Sequence, residues 1–282
     1  MLNIVKVLSV AAAMLAGGVV GAAFAADLPC AAETPCAVEG GEYTLAFPPD
    51  WDGRAPLKTI MFYHGHNASM KSTMRSAGLR QSFVERGWLL IAPQGERSGT
   101  GPRRWPARPD APWRDDVAYS LAVLADAARR APMTGEPVVS GFSAGGSMAW
   151  MMACYEGDRF SAVISVAGAL RRPNPDVCPK PVARALHVHG FADAQVPFEG
   201  RGIRDWHQGD VSDTLALFRR SRACRSNPNA IEVGEAWRSR VWTSCDGGDL
   251  AYLEHDGGHG LPRGWTDIAR DWLVTGALFP GE

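Results

Sequence analysis

The sequence predicts an α/β fold, a mostly parallel central sheet with helices on both faces. Two observations predict it. Short apolar, β-branched runs alternate with longer helical patterns along most of the 282 residues, as in chains whose parallel strands are joined by crossover helices. At the chain's midpoint sits no linker or repeat, but "PVVSGFSAGGSMAW" at residues 137–150, where Gly141, Ser143, Gly145 and Gly146 crowd the junction between a strand pattern and a helix pattern. Glycine inside a helix costs about 0.5–1 kcal/mol relative to alanine, so the cluster needs a reason. A strand-to-helix turn too tight for flanking side chains supplies one.

The elements follow in order. "EYTLAFP" alternates as a strand closed by Pro48 and Pro49, and "PLKTIMFYHGHN" and "GWLLIAPQG" are more apolar strands. Residues 98–112, rich in Gly, Pro and Arg, read as a long loop around Trp105. "WRDDVAYSLAVLADAARR" has helical spacing of Val117, Leu121 and Leu124, with acids early and arginines late as the helix dipole favours. "EPVVSGF" reads as a buried strand, "AGGSMAWMMACYE" as a helix, and "FSAVISVAGAL" and "ARALHVHGFAD" as strands. "DTLALFRRSRAC" is a helix, "DLAYLEHDGG" the last strand and "WTDIARDWLVTGAL" the closing helix. One domain is expected over residues 26–282.

Residues 1–25 read as a secretory signal peptide: Lys6 precedes a long apolar stretch ending in Ala23-Phe24-Ala25. The expected location is therefore periplasmic or extracellular. No other stretch approaches the roughly 18 apolar residues of a membrane span. A formal net charge of −1 gives no general attraction to nucleic acid or acidic membranes, and a monomer is expected. The six cysteines, Cys30, Cys36, Cys154, Cys178, Cys224 and Cys245, are an even count in an exported chain. They allow 15 connectivities, of which nearest-neighbour pairing (30–36, 154–178, 224–245) is the simplest. Zinc is disfavoured because no C-x-x-C spacing occurs.

A serine hydroxyl is a nucleophile only when a base takes its proton and a third group orients the base. Ser143, at the centre of G-x-S-x-G, is the candidate nucleophile, and Ala144 at the helix start offers an N–H to a developing oxyanion. In hydrolases of this architecture the acid and the histidine follow the serine in the chain. Asp193, just beyond the strand "ALHVHG", is the preferred acid over Asp176 and Asp205. His259, in the glycine-rich loop after the last strand, is preferred over His255, which falls on the strand or its edge. His187 and His189 share one strand face and read as structural. Gly65 permits a tight turn at "FYHGHNAS", where the His66 N–H is the candidate second oxyanion donor. The H-x-H of His64 and His66 has no carboxylate cluster beside it and is weak evidence for a metal; a serine mechanism needs neither a metal nor an organic cofactor, and none is expected.

"HGHNAS", "GFSAGGSMAW", "HGFADAQVPFEG" and "GGHGLPRGW", in this order, resemble the secreted polyhydroxybutyrate-depolymerase-like esterases, related to feruloyl and acetylxylan esterases of the α/β-hydrolase superfamily. The resemblance runs from about Tyr43 to the C-terminus. It implies the α/β-hydrolase fold, a Ser143–His259–Asp193 triad and an oxyanion hole from the His66 and Ala144 N–H groups. The implied partner is a small or oligomeric ester: a short hydroxyalkanoate oligomer, a feruloyl or other aryl ester, or an acetyl ester. Glycine and leucine follow His259, where this group often carries a small polar residue and tryptophan. Trp105 in the long loop is the candidate substrate contact. A serine peptidase of the same superfamily and a non-catalytic binding protein on this fold are the alternatives.

Overall fold

The computed structural model describes residues 30, 34–97, 99–107, 113–203 and 206–279; the expected signal peptide lies outside them. Ten strands form the main sheet: β1 (Cys36–Val38), β2 (Gly41–Ala46), β3 (Lys58–Tyr63), β4 (Trp88–Pro93), β5 (Val138–Phe142), β6 (Ala162–Val166), β7 (Arg184–Gly190), β8 (Ala230–Val233), β9 (Trp237–Cys245) and β10 (Gly248–His255). Their spatial order is β1-β2-β4-β3-β5-β6-β7-β10-β9-β8. The six central strands from β4 to β10 pair in parallel, and antiparallel strands flank them at both edges.

Successive strand residues point to opposite faces, and each face here has its own core. Met61, Tyr63, Leu89, Ile91 and Val139 face one layer with Val123, Met148 and Phe218. Those three come from α3 (Asp116–Arg130), α4 (Ala144–Tyr155) and α5 (Val211–Ser221). Ile60, Phe62, Leu90, Ala92 and Val138 face the other, with Met70, Leu79 and Trp272. These come from α1 (Met70–Met74), α2 (Ala77–Ser82) and α6 (Trp265–Thr275). The expected α/β-hydrolase architecture is present.

The helix read from Trp113 begins at Asp116, because Asp115 caps it: Oδ1 accepts the Val117 and Ala118 N–H groups. The closing helix stops at Thr275, where Gly276 takes φ 81°. The short helices α1 and α2 have no counterpart in the sequence pattern. They carry serine caps, Ser69 and Ser76, and are too brief to show a period. The β8–β9 hairpin has no such counterpart either: its β8 residues are all exposed, so it exists by backbone pairing rather than burial.

Three disulfides are present, Cys30–Cys36, Cys154–Cys178 and Cys224–Cys245. The second ties the end of α4 to the segment before β7, and the third ties the segment after α5 to the end of β9.

Candidate active site

The glycine cluster is explained by close backbone approach. A Cβ on Gly141 would lie 2.2 Å from the Gly145 carbonyl oxygen, and one on Gly145 would lie 2.0 Å from that of Tyr63. The chain can thus reverse from β5 into α4 within one residue. That residue is Ser143, held at φ 57° and ψ −120°, a region that costs a non-glycine residue on the order of 1–3 kcal/mol. Its own N–H donates to the Val166 carbonyl (2.8 Å), fixing the turn to the next strand. As the first residue of α4, Ala144 carries an N–H that the helix leaves without an intrahelical acceptor.

Asp193 and His259 come to the serine from two touching loops. The loop after β7 donates Phe191 N–H to the His255 carbonyl (2.7 Å) and Ala192 N–H to that of Gly257 (3.0 Å). Gly190 permits this contact, since a Cβ there would meet the Gly257 carbonyl oxygen at 2.4 Å. His259 Nε2 lies 2.8 Å from Ser143 Oγ, and its Nδ1 lies 2.8 Å from Asp193 Oδ2. A carboxylate can only accept, so Nδ1 carries the proton and Nε2 presents its lone pair to the serine hydroxyl. Asp193 Oδ1 accepts the Gln195 and Val196 N–H groups (2.9 and 2.8 Å). Burial alone would raise the Asp193 pKa. The His259 hydrogen bond, the Val196 N–H, the His259 charge and the Gln195 N–H together outweigh it and hold the carboxyl below its ordinary value. The Phe142 ring leans on His259 with centroids 5.1 Å apart.

The segment after β3 is a pinned turn. Asn67, at φ 58°, donates its N–H to the Arg103 carbonyl (2.7 Å), and Ala68 N–H donates to that of Gly65. His66 is exposed at its tip, whereas His64 is buried. His64 Nε2 accepts the Gly95 N–H (2.9 Å), so the proton is on Nδ1, which donates to the Gly65 carbonyl (2.8 Å). Burial, above all, lowers the His64 pKa to about 4. The sequence-based placement of Trp105 at a substrate-facing surface is corrected here. Its side chain is 0% exposed, packed edge-on to Tyr63, and its Nε1 donates to the His64 carbonyl (2.8 Å). Residues 96–97 and 103–104 form a two-residue antiparallel ladder that tucks the indole inward. Trp105 supports the turn carrying His66 instead of meeting solvent.

The alternatives weighed from sequence fall elsewhere. His255 ends β10, where its Nδ1 accepts the Gly257 N–H and its ring meets Trp237 edge-on. The Asp176 carbonyl accepts from Arg220, and Asp205 lies outside the described residues. The supports that sequence reading missed, Trp105 and His64, gave one signal: apolar and aromatic residues flanking an H-G turn.

Comparison with known proteins agrees with this architecture. A family model described as "Putative esterase" matches residues 40–240. The chain is 33% identical over 235 residues to "Putative esterase NocK" of Nocardia uniformis subsp. tsuyamanensis, spanning 76% of this chain and 67% of that protein. It is 25% identical over 238 residues to "Probable feruloyl esterase C" of Aspergillus niger, spanning 80% and 79%. Among solved structures, acetyl xylan esterase from Aspergillus awamori superposes with a TM-score of 0.59 at 12% identity, covering 81% of this chain and 93% of that one. The Bacillus cereus carboxylesterase gives 0.53 at 12% identity, covering 84% and 94%. The structures share the α/β-hydrolase fold, and the match of the family model over most of the chain makes this protein a member of the esterase family that the model describes.

Proposed function

We propose that the protein is a secreted serine esterase that hydrolyses carboxylic esters through an acyl-enzyme. The observation that carries this reading is the unbroken hydrogen-bonded line from Ser143 Oγ through His259 to Asp193 Oδ2, with both links at 2.8 Å. In the proposed reaction His259 takes the hydroxyl proton as Ser143 Oγ attacks the ester carbonyl, and Asp193 stabilises the imidazolium that forms. The Ala144 and His66 N–H groups receive the tetrahedral oxyanion. The C–O bond to the alcohol breaks as His259 returns the proton to the leaving oxygen. Water then repeats both steps and frees the acid. Export is in keeping with the three disulfides and the signal-like first 25 residues, and residues 26–282 would form one catalytic domain acting as a monomer.

For the substrate, the names of the relatives point toward feruloyl and acetyl esters, and the resemblance of the sequence motifs adds other aryl esters and short hydroxyalkanoate oligomers. A fluorophosphonate probe followed by peptide mapping tests the mechanism: labelling at Ser143, abolished by Ser143→Ala, is expected. A folded chain left unlabelled would instead be a binding protein on this fold. A panel of feruloyl, acetyl and hydroxybutyrate esters then ranks the substrates.

A further inference from the structure

Three buried side chains outside the triad form a line that ends on the acid loop. Trp150 Nε1 lies 3.3 Å from His187 Nδ1, His187 Nε2 lies 3.2 Å from His189 Nδ1, and His189 Nε2 lies 2.9 Å from the Val196 carbonyl oxygen. His187 and His189 are 0% and 1% exposed. The two ends fix the direction of every bond between them. An indole N–H can only donate and a carbonyl can only accept, so both imidazoles must be neutral, with the proton on Nε2. A second proton on either ring would set an N–H against an N–H. Stacking of His187 on Tyr252, with rings 11° apart, holds the plane of the relay.

The end of the line matters for catalysis. Val196 is the residue whose N–H grips Asp193 Oδ1, and His189 holds its carbonyl. The His189 Nε2–H also faces Asp193 Oδ2 at 3.8 Å, the oxygen that receives His259. We propose that Trp150, His187 and His189 form a one-way positioning relay that fixes the turn carrying Asp193, with His189 as the positioning residue that aims Oδ2 at His259. The inference rests on the Ser143–His259–Asp193 reading of the site. The charged or titratable groups facing His189 are His187 on its own strand, Asp193 on the acid loop, His255 at the end of β10 and His259 on the base loop. Burial is the largest influence on both rings and keeps them neutral.

Two measurements on the whole folded protein test the relay. Imidazole nitrogen NMR should show His187 and His189 as Nε2–H tautomers that do not titrate between about pH 6 and 9. A proton on Nδ1 of either ring, or titration in that range, overturns the proposal. For activity, His189→Leu removes the donor, while His189→Gln keeps an acceptor for His187 and a donor for Val196. A loosened acid typically loses on the order of tenfold or more in rate. His189→Leu should therefore lower kcat by about that factor with KM within about twofold, and should move the acid limb of kcat/KM to lower pH. His189→Gln should recover most of the rate and the limb. A limb that stays in place while kcat falls only with the folded fraction overturns the proposal. If His189→Leu does not fold, Trp150→Phe removes the first donor far from the triad. Its limb should move the same way by less, and an unmoved limb with unchanged His187 shifts counts against the relay. Turnover surviving Ser143→Ala would defeat the triad reading, whereas a fixed limb in a Ser143-dependent enzyme would defeat the relay alone.

Discussion

The indole N–H of Trp105 donates to the backbone carbonyl of His64 over 2.8 Å, with no part of the indole exposed. A residue in the middle of a loop thereby stiffens the turn that presents His66. Trp105→Phe keeps most of the packing and deletes this donor. Its expected effect is a several-fold fall in kcat that is the same for a bulky aryl ester and a small acetate ester, because displacing the His66 N–H, the proposed oxyanion donor, weakens every transition state alike. A selective rise in KM for the bulky ester would restore Trp105 to a substrate-contacting role.

Asp193→Asn tests the acid. An amide could offer an N–H where His259 needs an acceptor for Nδ1–H, so the imidazole would turn to the wrong tautomer. The expected loss is about 10⁴ in kcat with little change in KM. Steady-state kinetics at saturating ester check it, and a loss under tenfold would remove Asp193 from the mechanism.

How much of this was legible in the sequence depended on whether a feature was local. The turn around Ser143 was readable because its strand, glycine and helix signals lie side by side in the chain, with Gly141 crowded by Gly145 four residues on, and Asp193 and His259 stood out as candidates because each follows a strand pattern. The support of Trp105 was not, since the 41 residues separating the indole from the His64 carbonyl leave no spacing to detect. For the same reason His187 and His189 could be placed on one face by alternation, while their link to Trp150 and Val196 could not. The β8–β9 hairpin escaped because Arg238, Arg240 and Glu232 interrupt its apolar pattern.

Buried neutral histidines should make the fold sensitive to mild acid. His64 has its pKa lowered by burial to about 4, and His187 and His189 are lowered as well. Below the unfolded value of about 6.5, the unfolded chain binds protons that the folded chain refuses, so stability is full above that pH and falls as pH drops. For His64 alone the shift amounts to ~3 kcal/mol once pH reaches its folded value. Asp193 acts in the same direction at lower pH: its depressed pKa stabilises the fold above the unfolded carboxyl value and is lost as pH falls through the folded one. Asp116 opposes them. Burial raises its pKa to about 6, so its protonated form favours folding below that pH, and the benefit disappears as pH rises through it. Three imidazoles against one carboxyl leave a net loss. Melting at pH 5 should come roughly 5–15 °C below that at pH 7.5, and equal melting temperatures would contradict the burial of these rings as neutral species.

The Cys224–Cys245 bridge joins positions 21 residues apart and fastens the end of β9 beside β10, the strand that leads to His259. Replacing both cysteines by serine should cost about 2–4 kcal/mol of stability, while kcat at 25 °C falls by less than about twofold, because the Asp193 and His259 loops hold each other directly. Thermal melts and initial rates separate the two effects. A large loss of kcat without a change in melting temperature would mean the bridge acts on the site itself.

Gly141 and Gly202 make a matched pair for testing the nucleophile turn, since neither has a positive φ and only one is crowded. A Cβ at Gly202 meets nothing within 4 Å, so Gly202→Ala should leave stability and rate near wild type. A Cβ at Gly141 would stand 2.2 Å from the Gly145 carbonyl oxygen and 2.9 Å from Gly146 N. Both obstacles are backbone, so β5 and the start of α4 must separate by about 1 Å to admit it. That displacement carries Ser143 Oγ away from His259 and moves the Ala144 N–H with it. Misplacement on this scale costs on the order of 10²-fold in rate. Gly141→Ala is therefore expected to lose about that much kcat even at temperatures where circular dichroism shows it folded. Near-normal turnover in folded Gly141→Ala would mean that the tightness of the turn is not what holds the serine in place.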